Sequence, residues 1–290
     1  MRCVEAIVAG VGDISLAVAR SEASRRASAV AAAFDSVAET YDAEFTHTAL
    51  GRALRQRVWR KLAARFPAGS RVLELNCGTG EDAAWLARRG VKVLITDQSE
   101  AMLAVARRKT AGLPVEATHL DMSRPSLEPW AVRLAPFDGA FSNFGGLNCV
   151  ADVRPLARSL AGWLRPGAAL LLVVMGPLCL WEIAWYLLRV RPRSAFRRWA
   201  RRGAQAHIGA HALRVFYPWP GEIARVFAPE FHPVRLTGLG VALPPSLLAG
   251  TMHKYARLFG LLNTVEDRLA RTWPASHAGD HYVLELERAG

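Results

Sequence analysis

The middle of the chain is a succession of short apolar runs, each followed by a stretch whose apolar residues recur every three or four positions. Runs at Arg71–Leu75, Val91–Asp97, Val115–Leu120, Phe137–Ser142 and Ala168–Met175 read as buried strands. Gly90 stops the helix that precedes the second of them. The helix over Glu100–Lys109 has Ser99 as its N-cap, an acid first and Arg107, Arg108 and Lys109 last, matching its dipole. Val153, Leu156, Leu160 and Leu164 stripe a helix over Val150–Leu164, which Arg165-Pro166-Gly167 stops. Strand–helix alternation across 71–175 predicts an α/β fold, doubly wound around a mostly parallel sheet.

The flanks carry the same signals more weakly. Leu50, Leu54, Val58 and Leu62 share one helical face, with Arg52, Arg55, Arg57 and Arg60 directed elsewhere, so that helix reads as structural. Further on come a short helix over Glu222–Phe227, a strand near Pro233–Leu239 and an apolar loop over Val241–Leu248. A helix over Lys254–Arg271 offers Leu258, Leu261, Leu262, Val265 and Leu269 as its buried face, and His281–Glu287 alternates as a strand does. This divides the chain into an N-terminal extension and helical lid (1–66), a ligand-binding core (67–176), a substrate-side insertion after the fifth strand (177–250), and a helix and final strand that complete the core (251–290).

The densest chemistry lies at Glu74-Leu-Asn-Cys-Gly-Thr-Gly-Glu-Asp82, where a strand runs through a glycine turn directly into a helix. Gly78 and Gly80 permit a backbone that a Cβ would obstruct and let a ligand lie on bare peptide groups. The spacing Gly78-x-Gly80-x-x-Ala83 also meets the loose dinucleotide fingerprint. Glu74, Glu81 and Asp82 stand where a pyrophosphate would have to lie, and suit instead a ligand with an ammonium and a sulfonium. Asp97 ends the second strand 17 residues after Gly80, where an acid can hold both hydroxyls of a ribose. Asn143 and Phe144 follow the fourth strand at the carboxyl edge of the sheet, where open α/β sheets bind ligands.

Glu74-Leu-Asn-Cys-Gly-Thr-Gly80 resembles the first motif of the class I S-adenosylmethionine (SAM)-dependent methyltransferases, departing from it at Asn76, where a glycine is common. Ala33-Phe-Asp-Ser-Val-Ala-Glu-Thr-Tyr-Asp42 resembles the F-D-x-x-A-x-x-Y-D opening of the ubiquinone-biosynthesis-like small-molecule members. The leucine-arginine-proline-glycine lead into the fifth strand is a further family habit. The resemblance implies a Rossmann-like seven-stranded sheet, SAM as cofactor and S-adenosylhomocysteine as product. It places Glu74, Asn76, Cys77, Gly78, Thr79 and Gly80 at the cofactor. Asp97 is the ribose acid, Gln98 and Met102 lie near the adenosine, Asp121 and Met122 on the adenine side, and Tyr41 over the pocket. Plainer roles stay open: Met102 and Met122 as core, Asp121 as a helix cap, Tyr41 and Phe34 as lid packing.

Composition adds two points. Cys3, Cys77, Cys149 and Cys179 have no metal-site or paired spacing, which predicts reduced thiols of a cytoplasmic protein, with no disulfide frame and no metal. Cys77 has no nearby base to make it a nucleophile. Glu5 and Asp13 interrupt any signal-peptide core near the start. The net charge of +12 is uneven: residues 1–150 carry 19 basic and 16 acidic groups, residues 151–290 carry 18 and 9. The excess therefore belongs to the half expected to meet the substrate.

In that half, Leu178–Leu188 is apolar with Trp181 and Trp185, and seven arginines follow between Arg189 and Arg202. Pro177 and Glu182 argue against a membrane span, and tryptophan beside clustered arginine is the composition of an interfacial anchor. Residues 178–202 are thus a candidate for peripheral contact with the inner face of a membrane, with a core-packed helix and solvated loop as the plain reading. Methyl transfer from a sulfonium needs positioning above all, and a base only where the acceptor must lose a proton. His47, His207, His211 and Tyr217 are the candidate bases. The expected activity is methyl transfer to a small, apolar or lipid-like acceptor. An RNA methyltransferase, favoured by the arginines and opposed by the lack of an RNA-binding module, is the alternative. A SAM-binding regulator without transfer activity and a nicotinamide oxidoreductase are the remaining readings.

Overall fold

The structure is a computed structural model that describes residues 25–125, 130, 134–245 and 255–290. The signal-peptide reading, Cys3, the end of the apolar loop over Val241–Leu248 and the start of the helix at Lys254 lie outside the described residues.

The strands, in chain order, are β1 (Arg71–Glu74), β2 (Lys92–Asp97), β3 (Val115–His119), β4 (Phe137–Ser142), β5 (Leu164–Met175), β6 (Ala204–Ile208), β7 (His211–Val215), β8 (Phe231–Leu239) and β9 (His281–Arg288). Seven of them form one sheet in the order β3-β2-β1-β4-β5-β9-β8, and β6 and β7 pair as a separate hairpin. β1 to β5 run parallel, β9 runs antiparallel to β5, and β8 antiparallel to β9. The strand order reverses between β1 and β4, which makes the carboxyl ends of those strands the crevice for a ligand. Met175, His281 and Leu239 pair across β5, β9 and β8 at that same edge.

The helices are α1 (25–35), α2 (Ala49–Arg65), α3 (Glu81–Ala87), α4 (Glu100–Lys109), α5 (Arg154–Trp163), α6 (Leu180–Leu187), α7 (Pro220–Phe227) and α8 (Ala256–Leu269), besides shorter turns. Each sheet face buries its own core. Leu156 and Leu160 of α5 and Phe227 of α7 pack on Leu170, Leu172 and Leu284. Leu54 and Leu62 of α2, Leu86 of α3 and Leu103 of α4 pack on Val72, Val93 and Val173. Ser99 caps α4 as its sequence predicts, its hydroxyl accepting from the Met102 amide at 3.0 Å.

Four sequence expectations are corrected. β5 begins at Leu164, because Phe137 pairs with Leu164 before the register shifts to Gly139–Ala169, so Arg165-Pro166-Gly167 ride the strand as a bulge. α5 is correspondingly shorter than Val150–Leu164. Arg55 does not point away from the core; it is buried in it. In α8, Leu262 packs half-buried on the core and Val265 is half-buried, but Leu258, Leu261 and Leu269 are exposed, and the buried residue is Glu266. Its carboxylate accepts the amides of Gly240, Val241, Ala242 and Leu243 at 2.8, 3.1, 2.7 and 3.0 Å, an anion held by a row of backbone donors. The apolar run over 168–188 divides into β5 and the eight-residue α6, and among the described residues no helix is long and apolar enough to cross a membrane.

Candidate functional site

A cavity of about 300 Å³ opens at the carboxyl ends of β1, β2 and β4. Tyr41, Asn76, Cys77, Gly78, Thr79, Asp97, Gln98, Met102, Asp121, Met122, Asn143 and Phe144 all line it. Glu74 and Gly80 do not. Gly80, at φ +77, is the left-handed residue that starts α3, and a Cβ there would meet the Ala106 Cβ at 2.9 Å, so its glycine serves helix packing. Gly78, at φ +51, has nothing within 4 Å of where a Cβ would stand, so the backbone at this turn faces open space.

Asp97 closes one end of the turn. Its carboxylate accepts the Gly78 amide at 2.9 Å and the Ser99 amide at 2.9 Å. Burial outweighs these bonds and pushes Asp97 up to about 6. Asn76 steers β4, donating to the Asn143 carbonyl at 2.6 Å and accepting from the Ser142 hydroxyl.

The acids that look from sequence like a cationic ligand's counter-charges are already matched. Glu81 meets Lys109 at 3.0 Å, and Asp82 meets Arg55 at 2.6 Å. Asp82 also accepts Trp59 Nε1 at 2.6 Å and the Asn143 side-chain Nδ2 at 2.8 Å. Glu74 lies wholly buried, and burial first, then the neighbouring Asp82, raises its carboxyl well above the usual range. Arg55 itself lines the cavity, and its Nε has no partner. Nothing in the sequence separates Arg55 from the surface arginines beside it; only the pairing with Asp82, 27 positions away, does so.

The lid is pinned by the acids of its own motif. Asp35 accepts the Ser99 hydroxyl at 2.5 Å and the Ala101 amide at 3.2 Å. Asp42 accepts Thr79 Oγ1 at 2.7 Å and Lys109 Nζ at 2.6 Å. Burial alone would raise Asp42, but Lys109 and Thr79 hold it below the usual carboxylate range. Phe34 and Tyr41 are thereby held on the cavity wall.

A line of rings leads away from this wall. Tyr41 lies 6.0 Å from Phe45, Phe45 lies 5.2 Å from Phe144, and Phe144 meets His281 edge-on at 5.8 Å. Phe144 holds a left-handed backbone, φ 45, which costs a non-glycine residue about 1–2 kcal/mol. Arg55 stands 4.9 Å from its ring and the Asn143 side chain accepts its amide at 3.0 Å.

His281 is a buried titratable side chain that sequence reasoning did not single out. It is buried at the start of β9, with Nδ1 3.3 Å from Asp280 Oδ2. Asp280 in turn meets Arg198 at 2.6 Å; burial would raise that carboxyl, but Arg198 and then His281 hold it far below its usual range. Arg198 also meets Glu182 at 2.6 Å and donates to the Gly176 and Asp280 carbonyls. Cys179, Glu182 and Asp280 converge closely enough to hold a metal ion, yet both carboxylates are engaged by Arg198 and burial pushes the Cys179 thiol up to about 12. That donor set is filled by a guanidinium. His47, His207 and His211 are exposed; neither they nor the buried His281 lie on the cavity wall, which His281 approaches only through the Phe144 ring. Tyr217 is 5.0 Å from Arg198, and burial raises its hydroxyl, so it keeps its proton at neutral pH.

Comparison with known proteins bears on this geometry. A family described as "Methyltransferase domain" matches residues 72–167. The chain is 34% identical over 154 residues to the demethylmenaquinone methyltransferase of Clavibacter sepedonicus, covering 53% of this chain and 60% of that protein. It is 31% identical over 203 residues to that of Mycobacterium marinum, covering 67% of this chain and 80% of the other. Among solved structures, a SAM-dependent methyltransferase from Mesorhizobium loti superposes with a TM-score of 0.52 at 17% identity, over 81% of this chain and 98% of that one. The 1,6-didemethyltoxoflavin-N1-methyltransferase of Burkholderia thailandensis, solved with 1,6-didemethyltoxoflavin and S-adenosylhomocysteine, gives 0.53 at 18% identity, over 91% and 89%. These two structures share the fold.

Proposed function

We propose, starting from the fact that the chain belongs to the class I SAM-dependent methyltransferases, that it methylates a small apolar acceptor of the prenylated naphthoquinol kind. The single observation carrying the acceptor is the activity of the relatives, demethylmenaquinone methyltransferases at 31–34% identity. The rings of Phe34 and Phe144 on the cavity wall agree with it.

The residues present fit SAM. We assign Asp97 to the ribose hydroxyls, Asp121 and Met122 to the adenine side, and the open face of Gly78 to the amino-acid moiety. Arg55, with a buried Nε lacking a partner, is our assignment for the methionine carboxylate. When bound, SAM supplies a methyl group on a sulfonium, and the carbon–sulfur bond pair stays with sulfur in S-adenosylhomocysteine. The chain's own work is to hold the acceptor in line beside Phe144 and to take its proton. We assign the proton to His281, because it is a buried histidine beside the Phe144 ring, with Asp280 Oδ2 3.3 Å from its otherwise unpartnered Nδ1.

The test is transfer of labelled methyl from SAM to a reduced, short-chain 2-prenyl-1,4-naphthoquinol. Transfer that falls about 10²- to 10⁴-fold in kcat in His281→Gln, with KM for SAM little changed, supports both assignments. No transfer to the naphthoquinol, with transfer to RNA instead, would sink the acceptor. The RNA reading loses ground because Arg197 and Arg198, two of the seven clustered arginines, are spent internally on Glu182.

Asp97 also sets a pH dependence. Its folded value of about 6 lies above the unfolded carboxylate's, so the fold favours the protonated form. That contribution to stability is full at low pH and fades as pH rises through about 6. Ribose hydroxyls donate to the ionised form, so SAM affinity should be flat above about 6 and fall roughly tenfold per unit below it. Calorimetric titration in several buffers checks this, with proton release on binding near the midpoint. An affinity unchanged through that range would remove Asp97 from the ribose.

A further inference from the structure

We infer that the face formed by α6, the arginine segment behind it and the outer side of α8 docks on an anionic phospholipid surface. The first half is the stretch from Leu180 to Arg202. Leu188 and Val190 are 82% and 87% exposed, and Leu180, Leu187, Phe196 and Trp199 are exposed beside them. Between 178 and 203 the only acid is Glu182, which is buried under Arg197 and Arg198. Arg189, Arg191, Arg193, Arg201 and Arg202 are therefore exposed cations with no acid in their own segment, and Arg189 lies over the Trp185 ring at 3.2 Å. Exposed apolar side chains edged by unmatched cations are the two components of binding to an anionic bilayer.

The second half is α8 and the turn after it. Tyr255, Leu258, Leu261 and Trp273 are exposed there, Trp273 at 82%, with Arg257, Arg268 and Arg271 exposed around them. One loop anchors both halves. Trp181 of α6 donates to the Ala242 carbonyl at 2.9 Å, and Glu266 of α8 accepts the four amides from Gly240 to Leu243. That loop continues β8 from Leu239, at the edge where His281 stands. A lipid-like acceptor that remains in the bilayer would meet the enzyme on this side.

Other occupants fit less well. A second copy on a two-fold axis would set the five arginines of the first half against their own copies. A nucleic acid would match the arginines but leave Leu188, Val190 and Trp273 in water.

The inference deepens the acceptor reading, but its test contains no acceptor, so the two fail separately. Purified protein is floated with vesicles of phosphatidylcholine alone and of phosphatidylcholine mixed with phosphatidylglycerol. Binding at least tenfold stronger to the mixed vesicles is expected. Leu188→Ser with Val190→Ser should weaken it by about tenfold or more, and Arg189→Gln with Arg191→Gln by a comparable factor that shrinks in salt. All four positions are exposed and off the cavity wall, so SAM binding should be unchanged and certifies the fold. Equal binding to both vesicle types, or full binding by either double variant, overturns the inference. So does a mass that doubles in solution through this face, or displacement of the protein from vesicles by RNA alone.

Discussion

Asp97→Ala should abolish measurable SAM binding while leaving the protein folded. A hydrogen bond to a charged acceptor is worth about 1.5–3 kcal/mol, so two ribose hydroxyls on one carboxylate amount to about 3–6 kcal/mol. That corresponds to roughly 10²- to 10⁴-fold in affinity. The same carboxylate accepts the Gly78 and Ser99 amides, so its loss also releases the turn on which the ligand lies. Asp97→Asn is not a gentler control: the amide nitrogen that replaces one oxygen would face a backbone N–H. The fold should survive, because burial disfavours the charged form of Asp97 and alanine removes that penalty. Calorimetry with SAM and S-adenosylhomocysteine, beside a thermal melt, reads both outcomes. Wild-type affinity in a well-folded Asp97→Ala would move the ribose elsewhere in the cavity.

The sequence carried the sheet and the cavity wall for a local reason. Strand period, glycine turn and strand-end acid are all written within a few residues of one another, as in Leu73 to Gly80 and Val93 to Asp97. The cap of α4 at Ser99 is legible on the same ground. What sequence misread depends on partners from distant segments. Glu81 and Asp82 look like charges awaiting a cationic ligand until Lys109 and Arg55 are found on them. Arg55 and Arg60 belong to one helix and one composition, yet one is buried against Asp82 and the other reaches Asp267 at the surface. Leu258 and Leu261 have the spacing of a buried stripe and are exposed, because α8 is seated by a carboxylate. His281 is one polar residue opening an alternating strand. Its nearness to Phe144 appears only when β9 lies beside β5.

Arg198 gives the largest expected effect on stability, and the sequence had placed it among surface arginines. Replacing it with leucine keeps bulk but strands Glu182 and Asp280, both buried, and frees the Gly176 and Asp280 carbonyls. Breaking a buried pair by removing one partner costs about 3–5 kcal/mol, and here two acids lose the same cation, although Arg197 still reaches Glu182 at 2.5 Å. The melting temperature should fall on the order of 10 °C. Lysine should recover little of it, since one ammonium cannot reproduce the fork that spans Glu182, Asp280 and two carbonyls. The pH dependence separates this account from simple loss of packing. In the wild type Asp280 is held below its unfolded value, so its contribution is present above about pH 4 and is lost only as pH falls through the folded value. Without Arg198, burial dominates and the folded value rises above the unfolded one. The variant then recovers stability as pH falls and Asp280 takes a proton, so its deficit against the wild type should narrow between about pH 7 and 4. A deficit constant across that range would mean that Arg198 acts through shape alone, and that Asp280 is in no electrostatic position to orient His281.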